Sequence, residues 1–177
     1  MDNLDKLFVH WKSLQPLSAR KQYLLGQRFT VDYNYNSNHI EGNTLTYGQT
    51  ELLLLLGKVS GEGDLRDFME MKASQASVKM LEEETKSSSV LTQNFIRQLH
   101  KTLLREDYTV YQNLPDGSET YYTIHAGCYK TRPNSVITRY GDRFDYASPE
   151  ETPSLMADLV DWYNEAEKEE RMAAVGL

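Results

Sequence analysis

The sequence predicts a mainly α-helical fold interrupted by one short β segment. Three observations carry that expectation. Apolar residues recur at helical spacing through most of the 177 residues. Capping residues stand just ahead of several of these runs. Between Tyr108 and Tyr146 the character changes, and Tyr, Thr, Val and Ile alternate with turn residues as they do in short strands.

Leu4 to Trp11 reads as a short amphipathic helix closed before Pro16. Ser18 is placed to cap a longer helix, with Leu24, Leu25, Phe29 and Tyr33 expected inward. Thr46 with Gln49 three residues on forms a capping box ahead of five consecutive leucines. Leucines all round a helix predict burial on most sides. Residues 57–63 read as a loop. Asp64 to Glu84 follows as a helix with Leu65, Phe68, Met69, Ala76 and Met80 near its inner face, broken at Ser87-Ser88-Ser89. Thr92 caps the next helix, which carries Phe95, Ile96, Leu99, Leu103 and Leu104. In the β segment, 127–131 and 135–138 read as two extended runs joined by a turn at Arg132-Pro133-Asn134, with a second turn at Gly141-Asp142. Thr152-Pro153 is expected to start a final helix as N-cap and N1. Its apolar stripe is Leu155, Met156, Leu159, Val160 and Tyr163.

The formal net charge is −7, from 19 Lys plus Arg against 26 Asp plus Glu, which opposes non-specific nucleic-acid binding. The single cysteine, Cys128, forms no internal disulfide, and no Cys/His cluster has zinc spacing, so no metal site is expected. No signal peptide is visible at the N-terminus, and the Leu52–Leu56 run is far too short to span a bilayer. A cytoplasmic protein without membrane contact is the expectation.

The most informative stretch is Ser37-Asn38-His39-Ile40-Glu41-Gly42-Asn43. It is too polar for core, yet it lies where a helix should end. Ser37 and Glu41 share one helix face, so the hydroxyl can orient the carboxylate. Gly42 then stops the helix in the left-handed conformation. A carboxylate at a helix C-terminus faces the unfavourable end of the macrodipole and should be seeking a cation. An Asn-rich helix end with no function would read the same way.

Three segments together resemble the Fic family of protein adenylyltransferases. Ser37-Asn38-His39-Ile40-Glu41-Gly42 with Asn43 is similar to the family's inhibitory motif, [S/T]-x-x-x-E-[G/N]. Gly127 to Thr131 with Asn134-Ser135-Val136-Ile137 is similar to the hairpin flap over its active site. Pro149 to Asn164 resembles the helix preceding its catalytic core. The resemblance implies a mainly α, Fic-like helical bundle with a small β-hairpin flap. It divides the chain into an N-terminal helical region, 1–91, with the inhibitory motif at 37–42, and a partial Fic domain, 92–177, with the flap at 127–138. The family's catalytic motif, H-x-F-x-[D/E]-G-N-G-R-x-x-R, follows none of the four histidines, His10, His39, His100 and His125. No catalytic residue is therefore expected in this chain, and the reading is that of the N-terminal portion of a longer protein, ending before the catalytic helix-loop-helix.

The resemblance implies transfer of AMP from ATP to a Ser, Thr or Tyr hydroxyl of a target protein, with ATP and Mg²⁺ held by the full-length member and not by this portion alone. It assigns Glu41, with Ser37, Gly42 and Asn43, to a brake that engages a motif arginine and takes the place of the γ-phosphate. It assigns Val136 and Ile137, with Tyr129, Lys130 and Thr131 on the facing strand, to target docking. A homo-oligomer stays open. His100 is expected to be a packed core histidine. His39 and Glu41 point to different helix sides, which argues against a metal site. His125, beside the flap, reads equally as a contact to nucleotide or target and as an exposed loop residue. Cys128 reads as a small packed residue rather than a nucleophile, and the runs at Glu82–Glu84 and 165–170 read as solvated faces. Two competing readings remain: a standalone, antitoxin-like regulatory module that inserts Glu41 into a separate catalytic chain, and a helical peptide-binding module without catalysis. The uncharged end of the chain, Met172 to Leu177, implies missing packing partners and favours the portion of a longer protein.

Overall fold

The structure is a computed structural model that describes residues 3–87, 89–114 and 117–175. Ser88 of the serine break and the terminal Gly176 and Leu177 lie outside the described residues. The fold is mainly helical. It divides into two compact units, Met1–Gln75 and Ala76–Leu177.

The first unit holds α1 (Asn3–Ser13), α2 (Ala19–Ile40), α3 (Tyr47–Leu56) and the first half of α4 (Leu65–Ser87). The caps follow local chemistry. The Ser18 hydroxyl accepts the Lys21 N–H at 3.4 Å to open α2. In the Thr46 box, the hydroxyl accepts the Gln49 N–H at 3.3 Å and Gln49 Oε1 accepts the Thr46 N–H at 2.9 Å. Gln49 has a further duty: its Nε2 donates to the carbonyls of Ser60 and Glu62 at 3.0 and 2.9 Å, tying the loop after α3 to its first turn. The core of this unit is Leu45, Leu53, Leu54, Phe68 and Met71.

The inner faces differ from those expected. On α2 the fully buried residues are Val31 and Asn34, while Leu24, Leu25, Phe29 and Tyr33 are exposed. At 1.5 Å per residue, the 10 residues of α3 cover less than half the length of the 22-residue α2. Leu24, two turns before Val31 on the same stripe, lies beyond the length that α3 covers and is half exposed. Phe29 and Tyr33, on the far face, stack on each other instead, 5.5 Å apart. On α3 the buried residues are Thr50, Leu53 and Leu54, so only two of the five leucines are buried; Leu52 and Leu55 are half-buried and Leu56 is exposed. On α4 the buried positions are Asp67, Phe68, Met71, Ala73, Ser74, Gln75 and Ser77, whereas Leu65 and Ala76 face out.

The second unit continues α4 and adds α5 (Gln93–Leu104), β1 (Tyr108–Asn113), β2 (Glu119–Ile124), β3 (Ser135–Ile137), β4 (Arg143–Asp145) and α6 (Thr152–Val175). Thr92 caps α5 by accepting the Phe95 N–H at 3.1 Å. The β segment is two antiparallel hairpins. Tyr108 lies opposite Ile124 in the first, and Val136 opposite Phe144 in the second. The flap is therefore paired differently from the sequence expectation. Residues 127–131 form no strand, and 135–137 pairs with 143–145 across a turn in which the Thr138 N–H reaches the Asp142 carbonyl at 2.8 Å.

α6 starts at Thr152, as expected, but the capping bonds come from the turn just ahead of it. The Ser148 hydroxyl accepts the Glu151 N–H at 3.2 Å, and Glu151 Oε2 accepts the Ser148 N–H at 2.9 Å, a capping box that closes residues 148–151 and leads into the helix. The Thr152 hydroxyl donates back to the Ser148 carbonyl at 2.7 Å. Along α6, Val160 is buried, Met156 and Asn164 are half-buried, and Leu155, Leu159 and Tyr163 are exposed. Asn164 meets α5's approach, giving and taking a hydrogen bond with the main chain of Leu91 at 2.9 and 3.0 Å. Among the described residues, no helix is long and apolar enough to cross a membrane.

Candidate functional site

Two places gather chemistry, one in each unit. The first is the end of α2. The Asn43 N–H bonds to the Asn38 carbonyl at 3.0 Å, and the Gly42 N–H to the His39 carbonyl at 3.1 Å. This is a Schellman closure, with Glu41 as C-cap and Gly42 at φ +93°. A β-carbon on Gly42 would meet nothing within 4 Å, so the glycine is there for its backbone.

Glu41 therefore sits on an anchored turn. Asn43, only 4% exposed, donates from Nδ2 to the Asp67 carbonyl at 2.9 Å and accepts the Leu45 N–H on Oδ1 at 3.2 Å. The buried Asp67 carboxylate accepts the Thr44 N–H at 2.9 Å and also the Thr44 hydroxyl. The His39 ring shares the same turn: Nδ1 lies 3.1 Å from the Asn43 carbonyl, which can only accept, so that nitrogen carries a proton. His39 stacks on Tyr35, and Tyr35 meets Tyr47 edge-on. Tyr47 donates to Asp32 at 2.6 Å. The Tyr47 and Arg28 hydrogen bonds hold the Asp32 carboxyl below its ordinary range.

Glu41 itself is exposed, and among the described residues of this unit it has no cationic partner. Ser37 is half-buried and makes no hydrogen bond to Glu41, so the orienting role expected of its hydroxyl is not seen. Orientation comes from the turn beyond the helix. Asp67 is the residue that sequence reasoning passed over. Its only local signal was an acid in the first turn of α4, which normally reads as a solvated dipole partner.

The second place is a cleft of about 600 Å³ in the other unit. His100, β2, the 128–135 loop and Arg143 line it. Gly127 fixes the loop on α5: its N–H donates to His100 Nδ1 at 2.9 Å, and its carbonyl accepts Arg97 Nε at 2.7 Å. Its φ is +78°, and a β-carbon would press to 3.0 Å on the Arg97 carbonyl and on Lys101. These bonds occupy both main-chain groups of Gly127, the first residue of the expected 127–131 run, and hold it on α5 instead of in a ladder. His100 is thus only half-buried, and as an Nδ1 acceptor a neutral ring carries its proton on Nε2.

Around this cleft, Asp107 holds the corner where β2 ends. One oxygen meets His125 Nδ1 at 2.6 Å and the other accepts the Ala126 N–H at 2.8 Å. These bonds hold the Asp107 carboxyl below its ordinary range, His125 first and Ala126 second. Tyr129, Lys130 and Thr131 line the cleft from an irregular loop, while Val136 and Ile137 are exposed on β3. The expected docking residues are neighbours, but not cross-strand partners. Cys128 is not packed as expected but exposed, on the cleft wall.

Neither a metal cluster nor a phosphate cradle is formed at the places the sequence suggests among the described residues. Among the described residues there is no group of three or more His, Cys, Asp or Glu able to hold a metal ion. The glycine loop at 61–63 turns carbonyls, not N–H groups, toward Gln49, and Gly63 lies so close to the Phe68 ring that a β-carbon would stand 2.8 Å from it. A phosphate cradle needs the reverse polarity and open space.

No protein-family model matches the chain. Over 133 residues, 75% of this chain, it is 27% identical to the protein adenylyltransferase fic-1 of Caenorhabditis briggsae, of which it spans 23%. A crystal structure of a Fic domain containing signaling protein from Bacteroides thetaiotaomicron superposes with a TM-score of 0.80 at 47% identity, over 95% of this chain and 58% of the other. A Fic family protein from Desulfovibrio desulfuricans shares the fold at a TM-score of 0.53 and 20% identity, over 87% of this chain and 39% of the other. The chain thus spans less than two thirds of each of these proteins, from 23% to 58% of their length.

Proposed function

From a chain that is a relative of the Fic-domain proteins, we propose a role in protein adenylylation, in which this portion supplies an inhibitory carboxylate and a docking surface. The observation that carries the reading is Glu41. It is an exposed carboxylate at the negative end of α2, without a cation in its own unit, on a turn locked by the Asn43 and Asp67 bonds. An arrangement that orders an unpaired charge fits a partner guanidinium, which a carboxylate can meet with two parallel bonds.

In this reading the guanidinium belongs to the catalytic motif, which this chain lacks. Glu41 diverts it from the phosphates of ATP and holds the enzyme inactive. The chain's own residues do not bind the nucleotide; they position the carboxylate. Asn43 and Asp67 fix the turn, Gly42 lets the chain leave the helix, and the 129–137 segment receives the target that presents its hydroxyl.

The test is Glu41→Gly in the complete protein, read by incorporation of labelled AMP. A charged hydrogen bond contributes roughly 1.5–3 kcal/mol, so losing the brake should raise incorporation about tenfold or more. Glu41→Gln, which keeps the shape and loses the charge, should fall between. Equal incorporation by wild type and Glu41→Gly refutes the brake.

A further inference from the structure

We propose that the cleft of the second unit is a recognition site for an acidic, extended peptide segment of the protein to be modified. The proposal deepens the docking role given to the 129–137 segment and is independent of Glu41.

Charge is the first ground. The chain is acidic overall, yet no Asp or Glu lines this cleft, while Lys130, Arg132 and Arg143 do. Arg143 already pairs with Asp145 at 2.7 Å. The other two cations are held for use. Arg132 lies 4.9 Å over the Tyr122 ring, and Lys130 is hydrogen-bonded to the neutral Asn134 amide. Neither forms an ion pair among the described residues of this unit. The acid near the cleft's corner, Asp107, spends both oxygens on His125 and Ala126. Glu151 is occupied by the N–H and hydroxyl of Ser148, with Lys130 a minor influence.

Strand edges are the second ground. β2 pairs only with β1, and β3 only with β4, so each leaves one edge without a strand among the described residues. Tyr122, Thr123 and Ile124 of β2 and Ser135 of β3 all reach the cleft. An extended main chain can add to such an edge, while its alternate side chains meet the cations. This favours a peptide over a nucleic acid. Two isolated cations and a net charge of −7 give little hold on a phosphate backbone, which needs several contacts to offset repulsion.

The test is fluorescence anisotropy on this chain with four labelled probes: a short peptide alternating Glu with Val, its Gln and Lys counterparts, and an oligothymidylate of the same charge as the first. The Glu peptide should bind roughly tenfold tighter than the Gln peptide at low salt, and the margin should shrink as salt rises. Lys130→Gln with Arg132→Gln should remove the margin, while Arg139→Gln, exposed on the turn and off the cleft wall, should leave it. Lys130→Glu with Arg132→Glu should switch preference to the Lys peptide, a gain that an unfolded variant could not produce. Equal affinity for the Glu and Gln peptides, tighter binding of the oligothymidylate, no binding of any probe, or equal loss in Arg139→Gln would each overturn the proposal. Because no probe involves AMP transfer, such a failure would leave the Glu41 result standing, and the reverse holds too.

Discussion

Replacing Asn43 by Ala should be costly out of proportion to the size of the side chain. Asn43 is 4% exposed, and its amide bonds the main chain of Leu45 and, 24 residues away from Asn43 in sequence, that of Asp67. Alanine leaves the Leu45 N–H without its partner where water cannot easily reach, and takes from the Asp67 carbonyl a second donor beyond its helical one. An orphaned buried group costs about 1–3 kcal/mol. In a chain of this length that corresponds to about 3–10 °C in Tm. The backbone bond from Asn43 to Asn38 does not involve the side chain and should survive, so α2 should keep its helicity in far-UV circular dichroism. Amide exchange at Leu45 should rise, because its acceptor is gone. Asn43→Asp offers a sharper arm. It keeps an acceptor for Leu45, but loses the donor to Asp67 and buries a second carboxylate beside the first. It should be at least as destabilised at neutral pH and recover in acid, where that carboxylate is neutral. A Tm for Asn43→Ala within about 2 °C of wild type, with Leu45 exchange unchanged, would refute the view that this amide anchors the turn.

Two further outcomes test the second unit. Ser148→Ala should cost about 1 kcal/mol by thermal melt, whereas Thr152→Val, which removes only a back-bond to the Ser148 carbonyl, should cost clearly less; the opposite order would return the cap to Thr152. Asp107 titrates below its ordinary 3.8 because the folded state binds its ionised form, so its stabilising contribution is complete above that value and lost as pH falls through the lower, folded one. Asp107→Asn should flatten Tm against pH in that acid window, and an unchanged acid slope would show that the His125 and Ala126 bonds add nothing.

Where local chemistry decides, the chain is legible. Ser18, Thr92 and the Thr46–Gln49 box each act within four residues, and each caps its helix as expected. Gly42 ends α2 for the same reason. Burial is another matter, because a stripe is buried only where something covers it: Leu24 shares a face with Val31, but α3 is too short to reach it. The start of α6 at Thr152 is legible, but its cap is less so, because Ser148-Pro149 and Thr152-Pro153 are two Pro-led candidates and only the first has a Glu, at 151, to complete a box. The pairing of 135–137 with 143–145 rather than with 127–131 is not legible in the sequence, because the tie of Gly127 to α5 is revealed by no pattern within the hairpin. Asp67 illustrates the same limit, since its importance lies in Thr44, 23 residues away.

Gln49 shows how a statistically better residue can be the worse one. Glutamate is the usual partner in a capping box, and consensus design would place it here without hesitation. It could still accept from Thr46, but the nitrogen that now donates to the Ser60 and Glu62 carbonyls would become an oxygen facing two others. The change is a single atom, the one that ordinary deamidation makes. An aged or over-optimised protein could thus keep α3 well capped and still release the loop that follows it.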